Sequence, residues 1–219
     1  NAQKAKEIVY RSTADLPRSD PYFLGPNPLV WQAKKPGQIL AFEEIGSGIC
    51  GRVYDTRVIV DGKVGHCVAK VIHPENSEEF EECQMSEFLP FWSEVEDYER
   101  LKGERFIPEF YGAFAAMWFE GQIGVILMER LDKTFSSYEE MDAEEKRGAI
   151  DCVKKLHLAG FHHGDERAPN FGKRGAEMVI FDFSAAAPIP EDMSCNQFDP
   201  DRCHAVRGFS RTLYGEEDY

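Results

Sequence analysis

The sequence has few basic residues for its length and no long apolar run. Lysine and arginine total 25 against 39 aspartates and glutamates, which gives the 219-residue chain a net charge of −14 at pH 7. A field of that sign repels phosphate backbones, so nucleic acid is not expected as the main partner. No apolar run reaches the roughly 18–20 residues of a membrane span, and no internal repeat is present. We therefore predict a globular protein without a membrane segment.

Cysteine pairs of the C-x-x-C type are also missing. The six cysteines stand at positions 50, 67, 83, 152, 195 and 203. Cys195, Cys203 and His204 match no standard zinc spacing, so no metal cluster is expected there. We expect reduced thiols in a cytoplasmic or nuclear protein. Because the sequence begins with Asn rather than Met, it leaves open whether an N-terminal signal precedes it.

The hydrophobic pattern predicts an α+β chain organised as two lobes. Residues 1–38 carry five prolines, and we expect an arm packed on the domain with a short helix near residues 3–10. Strands are predicted at 39–45, 53–60, 66–72, 122–128 and 179–183, with a tight turn at residues 61–62. Helices are predicted at 78–101 (interrupted at Pro90), 142–159 and 202–213.

A glycine-rich stretch joins the first two predicted strands. It contains Gly46, Ser47, Gly48, Gly51 and Val53 in the pattern G-x-G-x-x-G-x-V. A dinucleotide-binding fingerprint would lead into a helix, whereas these glycines lead into a second strand. The stretch fits a flap whose backbone approaches nucleotide phosphates, and a flexible hairpin loop is the alternative.

A lysine lies within the third predicted strand. Lys70 has apolar strand neighbours, so its ammonium must be paired or reach into a cleft. Glu94 is the favoured partner because it shares one helical face with residues four and seven positions further on. Glu96 and Glu99 remain possible partners, and a lysine snorkelling at a strand edge is the alternative to any pairing.

The most specific motif follows the helix predicted at 142–159. His163-Gly164-Asp165 is followed by Asn170, where a loop is expected. An aspartate in such a loop can orient a hydroxyl proton, and an asparagine five residues later can ligate a metal. Asp182 ends a short apolar strand, where a carboxylate is costly unless it binds a cation or hydrogen-bond donors. Polar turns capped by these side chains are the alternative.

The order of these motifs resembles the protein-kinase superfamily over about residues 39–214. The resemblance implies a two-lobed kinase fold: an arm at 1–38, an antiparallel-sheet lobe at 39–131 and a reduced, mainly helical lobe at 132–219. It implies that ATP and Mg²⁺ bind, with Met128 as gatekeeper and residues 129–131 as the hinge against adenine. The implied nucleotide-binding residues are Gly46, Ser47, Gly48, Gly51, Val53, Ala69, Lys70, Glu94, Met128, Glu129 and Leu131.

The same resemblance assigns chemical roles to five side chains. Asp165 is implied to be the catalytic base. Asn170 and Asp182 are implied to bind Mg²⁺. Lys70 would hold the α- and β-phosphates, and Arg167 would steady the transferred phosphoryl group.

Three departures distinguish the chain from full protein kinases. Gly164 replaces the arginine that reads a phosphorylated activation loop, Ser184 replaces the glycine of Asp-Phe-Gly, and no Ala-Pro-Glu follows within residues 185–219. In these respects the chain is similar to aminoglycoside and choline phosphotransferases, RIO kinases and small kinase-like proteins of fungi. The resemblance implies an ATP- and Mg²⁺-dependent phosphotransferase, with protein Ser or Thr as the favoured acceptor. The alternatives are a small-molecule acceptor and a pseudokinase that binds nucleotide or serves as a scaffold.

Overall fold

The chain is an α+β protein with antiparallel sheets and three α-helices among the described residues. The computed structural model describes residues 6–9, 38–48, 51–60, 63–72, 88–118, 121–189 and 199–214. The chain divides into two compact units. Unit 1 comprises Asn1–Val95 and Phe110–Arg130, and unit 2 comprises Glu96–Glu109 and Leu131–Tyr219.

Unit 1 contains a six-stranded sheet in the order β1-β2-β3-β4-β6-β5. Every neighbouring pair is antiparallel. The strands are β1 (Lys6–Val9), β2 (Gln38–Gly48), β3 (Gly51–Val60), β4 (Lys63–Ile72), β5 (Phe110–Trp118) and β6 (Gly121–Glu129). Residues 125–128 of β6 are all buried, which explains why this strand is apolar rather than alternating in character.

The structure departs from the sequence prediction at both ends of this sheet. The short helix predicted near residues 3–10 is wrong, because Lys6–Val9 form β1, with Val9 opposite Gln38 of β2. The backbone edge of β2 offers hydrogen-bonding partners that override a weak local helix preference. Strand β5 was not predicted, since its glycine and three alanines hide the alternation of a half-buried strand.

Helix α1 spans Phe88–Arg100, and residues 78–87 of the longer predicted helix lie outside the described residues. The predicted interruption at Pro90 is wrong, because the helix continues through it. Pro90 occupies the first helical turn, where a backbone N–H has no intrahelical partner to lose. Phe91 packs on Gly124 of β6 so closely that a Cβ added at Gly124 would lie 2.7 Å from its ring.

Unit 2 is built around the helices α2 (Ala143–Leu158) and α3 (His204–Tyr214). Its short strands form two small sheets, β10-β9-β7 and β11-β8. The strands are β7 (Lys133–Thr134), β8 (Phe161–His162), β9 (Phe171–Arg174), β10 (Glu177–Ile180) and β11 (Ala187–Pro188). Helix α2 begins with a capping box in which Asp142 and Glu145 bond each other's backbone N–H groups.

The prediction for α2 is confirmed to within one residue at each end, because its start and stop signals are local. The strand predicted at 179–183 is partly wrong, since β10 ends at Ile180. Asp182 has φ 66°, which no strand residue adopts, and Phe183 begins a short 3-10 turn. Helix α3 begins two residues later than predicted, after a 3-10 turn at Pro200–Arg202.

Cys67, Cys152 and Cys203 are buried and form no disulfide among the described residues, whereas Cys50, Cys83 and Cys195 lie outside the described residues. In the part of the chain that is described, no helix has both the length and the apolar character to cross a bilayer.

Candidate functional site

Unit 1 holds a buried ion pair between Lys70 and Glu94. Lys70 lies on β4 opposite Val53 of β3 and Ile126 of β6, so it occupies an interior strand and the strand-edge alternative is wrong. Its Nζ donates to both carboxylate oxygens of Glu94, at 2.9 and 2.7 Å. The side chains are 9% and 1% exposed. Of the three glutamates considered from sequence, the structure therefore pairs Lys70 with Glu94.

The glycine-rich stretch is a β-hairpin in which Gly46 pairs with Val53, and Gly48 pairs with Gly51. Residues 49–50 lie outside the described residues. A Cβ at Gly51 would lie 2.4 Å from the carbonyl oxygen of Val71, so the neighbouring strand itself requires glycine there. Among the described residues, a Cβ at Gly46 would meet Val53 alone, at an ordinary 3.8 Å. Within the described residues, packing therefore explains the glycine at 51 but not the one at 46.

The other predicted nucleotide-binding positions lie where β4 and β6 pair. Ala69 is buried opposite Leu127. Met128 is buried opposite Val68, and half-buried Glu129 pairs with Cys67. Ser47 pairs with Arg52 in the hairpin. Leu131 begins the second segment of unit 2, and the chain also passes from one unit to the other after Val95 and after Glu109.

In unit 2, His163 anchors the loop that carries the predicted catalytic aspartate. Its buried ring bonds the carbonyl oxygen of Phe181 through Nε2, at 3.0 Å, and accepts the backbone N–H of Asp165 at Nδ1, at 3.3 Å. An Nδ1 that accepts requires the hydrogen to be on Nε2. Burial lowers the pKa of His163, which keeps the ring neutral. His163 is therefore a positioning residue.

Asp165 is held by two neighbours on the same loop. The guanidinium of Arg167 donates to both carboxylate oxygens, at 2.5 and 2.6 Å. The side-chain amide of Asn170 donates to the backbone oxygen of Asp165 at 2.8 Å and to Oδ2 at 2.9 Å. The hydrogen bond from Arg167, followed by that from Asn170, lowers the pKa of Asp165. The carboxylate is thus ionised at neutral pH and fixed in orientation.

The glycine of His-Gly-Asp has a structural cause in this fold. Gly164 has φ 79°, and an added Cβ would lie 2.4 Å from the carbonyl oxygen of Ala185. Both features exclude a side chain, so an arginine could not occupy this position without moving the backbone.

Asp182 is the one non-glycine residue with positive φ among the described residues. Asp tolerates the left-handed region better than most residues, and such outliers concentrate at functional sites. Its backbone N–H donates to the hydroxyl of Tyr98 at 3.3 Å. Phe183 is buried against the rings of Tyr98 and His163, with centroid distances of 4.9 and 5.4 Å.

Ser184 lies in the 3-10 turn Phe183–Ala185 and does not have positive φ. Serine there is compatible with the fold, because the special backbone conformation falls on Asp182. Asn170 is tied to the same segment, since the backbone N–H of Phe181 donates to its carbonyl oxygen at 3.0 Å. The two predicted metal ligands are therefore connected through one backbone hydrogen bond.

Sequence reasoning missed the polar role of Tyr98. Its position four residues after Glu94 on the helix indicated only a residue of the buried face, whereas its hydroxyl accepts a hydrogen bond from Asp182. The hydroxyl of a fully buried tyrosine needs a hydrogen-bond partner, so the position of Tyr98 on the buried helical face already indicated that its hydroxyl would be bonded.

No protein-family model matches the chain, and no curated protein matches its sequence. The kinase resemblance therefore depends on the motifs and on the placement of their residues within each unit. Unit 1 supplies a desolvated lysine–glutamate pair, and unit 2 supplies an ionised aspartate near an asparagine and a strained aspartate.

Proposed function

We propose that the chain is a two-lobed, kinase-like phosphotransferase that moves the γ-phosphoryl group of ATP to a hydroxyl acceptor with Mg²⁺. The loop of unit 2 carries the proposal. Asp165 is ionised there and held by Asn170, and the backbone oxygen of Asn170 is bonded to the residue before Asp182. A polar turn needs neither the bidentate arrangement around Asp165 nor a strained aspartate.

The donor set suits a hard cation. Asn170 directs its amide nitrogen to Asp165, so its amide oxygen is the atom that a cation would use. Asp182 adds a carboxylate, and Mg²⁺ prefers one or two carboxylates together with phosphate and water oxygens. Bound Mg²⁺ would neutralise the charge that develops on the phosphate oxygens. The left-handed backbone of Asp182 would hold its carboxylate in place without any change during the reaction.

In unit 1 the proposal assigns Lys70 to the α- and β-phosphates, with Glu94 fixing the ammonium. Gly46 fits the flap role because no contact within the described residues requires a glycine there. Gly51 is weaker support for the flap role, because the close approach of the Val71 carbonyl oxygen already requires a glycine there. The remaining nucleotide-binding positions keep the roles that the resemblance implies.

Asp165 would orient the acceptor hydroxyl and take its proton. The hydroxyl oxygen forms a bond to the γ-phosphorus as the bond from that phosphorus to the bridging oxygen breaks, and ADP leaves. The lowered pKa of Asp165 suits a loose transition state, in which the proton moves late and positioning matters more than basicity. Arg167 uses two of its five N–H donors on Asp165, and the others could meet phosphoryl oxygens.

A protein Ser or Thr is the favoured acceptor because Arg167 is an exposed cation two residues after the catalytic position. The net charge of −14 would suit a basic protein surface near the acceptor. A cationic small molecule of the aminoglycoside type meets the same electrostatic condition and is the other acceptor class to assay.

One observation favours a pseudokinase as the second candidate. Both oxygens of Asp165 accept hydrogen bonds from Arg167, and Oδ2 accepts a further one from Asn170. An acceptor hydroxyl would have to share or displace one of these. If Arg167 does not yield, nucleotide would bind without turnover.

The decisive experiment measures Mg²⁺-dependent ATP binding by calorimetry and ADP release in the same preparations. We expect Asp165→Asn to keep binding and to lower kcat by about 10²–10⁴-fold. Asp182→Asn should lose the Mg²⁺-dependent part of binding. Asp151→Asn, a substitution of an exposed aspartate on α2, is the matched control and should behave as the unsubstituted chain. Binding without ADP release would favour a nucleotide-binding pseudokinase, and no Mg²⁺-dependent binding at all would overturn both that candidate and the enzyme.

A further inference from the structure

Three side chains of unit 2 that can ligate a metal lie together beside the start of the loop described above. His157 is in the last turn of α2, His162 is in β8, and Cys203 immediately precedes α3. Their ligating atoms all lie within 4.8 Å of one another. His157 and Cys203 are buried, and His162 is half-buried. We propose that these three residues bind one zinc ion.

The distances are close to those of a coordination sphere. Zinc bonds of about 2.0–2.1 Å to nitrogen and about 2.3 Å to sulfur, at tetrahedral angles, place ligand atoms about 3.3–3.6 Å apart. Nε2 of His162 is 3.4 Å from Sγ of Cys203. The rings of His157 and His162 are 5.4 Å apart between centroids. The ligating atom of His157 lies within 4.8 Å of the other two, so it would have to approach them by at most about 1.5 Å to reach coordination distance.

The ligand set favours zinc over other common divalent ions. One thiolate and two imidazoles are borderline-soft ligands, which Zn²⁺ binds in tetrahedral sites, whereas Mg²⁺ and Ca²⁺ take oxygen. Three protein ligands leave a fourth position, which water can reach because His162 is half-buried. His157 and His162 also have the H-x₄-H spacing found in many zinc sites. The cysteine lies 41 residues further on, so sequence spacing alone does not reveal the set.

The position of the cluster indicates what the metal would do. It would join the end of α2, strand β8 and the start of α3 at one point. Strand β8 leads directly into His163, which anchors Asp165. Zinc would therefore fix both the C-terminal helix and the chain that enters this loop. The alternative is a hydrogen-bonded Cys–His pair beside a second histidine, with no metal.

The test is metal content and cobalt spectroscopy on the full chain. After reconstitution with zinc chloride and desalting, we expect one zinc per chain and a raised melting temperature. The cobalt form should show a thiolate-to-metal charge-transfer band. Cys203→Ser should lose the band and weaken zinc binding by more than the about 10- to 100-fold that an outer-shell change costs.

Cys152→Ser is the matched control, because Cys152 is a buried thiol on α2 that contacts the backbone of Met178 rather than the cluster. Burial raises the pKa of Cys152 to about 12, which makes it a poor ligand. This variant should keep both zinc and the band. His162→Gln, at a half-buried position, provides a second test if Cys203→Ser fails to fold. The proposal would be overturned if the unsubstituted chain takes up no zinc, or if Cys203→Ser takes up as much zinc as the unsubstituted chain.

Discussion

Breaking the Lys70–Glu94 pair from one side should destabilise unit 1 far more than removing both charges. The two groups are almost fully desolvated, with Nζ 2.9 and 2.7 Å from the carboxylate oxygens. At such distances and an effective dielectric constant of about 20, the attraction is about 6 kcal/mol, and burial of the charges offsets much of it. Lys70→Met or Glu94→Leu alone removes the oppositely charged partner of a buried group and should cost about 3–5 kcal/mol.

The double variant Lys70→Met/Glu94→Leu should lie within about 1–2 kcal/mol of the unsubstituted chain, because it leaves no charge behind. The cycle then yields a coupling free energy of at least about 3 kcal/mol. If this variant folds normally but no longer binds ATP, the pair is retained for ligand binding rather than for stability. That result would connect the energetics of the pair to the proposed function.

Urea unfolding followed by tryptophan fluorescence measures these free energies, since Trp92 and Trp118 belong to unit 1. Arg52→Met is the control, because its ion pair with Glu44 is about half exposed and should contribute less than about 1 kcal/mol. Single-variant costs below about 1 kcal/mol, or a double variant equal to the sum of the two singles, would refute the reasoning.

Three further predictions concern unit 2. Burial raises the pKa of the Asp97 carboxyl from 3.8 to about 6. Each pKa unit corresponds to about 1.4 kcal/mol, so the free energy of unfolding should fall by about 3 kcal/mol as pH rises from 4 to 6 and the buried carboxyl loses its proton. Asp97→Asn should therefore raise the free energy of unfolding at pH 7 and flatten its pH dependence in denaturant titrations; lower stability at pH 7 would contradict this. Gly164→Ala should lower the free energy of unfolding by at least about 2 kcal/mol, because the residue has positive φ and an added Cβ would clash with the backbone. Gly175→Ala is the control, because Gly175 has φ 58° but open space around it, and it should cost about 1 kcal/mol. Equal costs for the two variants would show that the clash at Gly164 contributes nothing. Because Arg167 lowers the pKa of Asp165, Arg167→Ala should move the acid limb of the pH–rate profile to higher pH. An acid limb that does not move would show that Arg167 has no effect on the ionisation that limits the rate.

Local signals allowed the sequence to predict α2 and the Lys70–Glu94 pair. Helix α2 has its cap at Asp142 and its stop at Gly160, and both act within a few residues. For the pair, a strand pattern placed Lys70 and a helical face favoured Glu94, and both patterns are local. The contact itself joins residues 24 positions apart, which is why Glu96 and Glu99 stayed open as partners until the structure paired Lys70 with Glu94.

Features that depend on distant neighbours could not be predicted. Strand β1 forms only because β2, some thirty residues later, offers an edge. The left-handed backbone of Asp182 depends on the packing of Phe183 and the hydrogen bond to Tyr98. The His157–His162–Cys203 cluster forms only when α2, β8 and the start of α3 meet. Residue patterns over short windows carry no information on such contacts.

The pairing of β1 with β2 also bears on self-association. Lys6–Val9 occupy the backbone groups along Gln38–Ala41 that would otherwise be an open template for another chain. Proteolytic loss of those four residues would leave this part of β2 as an unpaired edge of the sheet. A shortened form of the protein would then carry a built-in tendency to dimerise or aggregate through strand addition, even with its core unchanged.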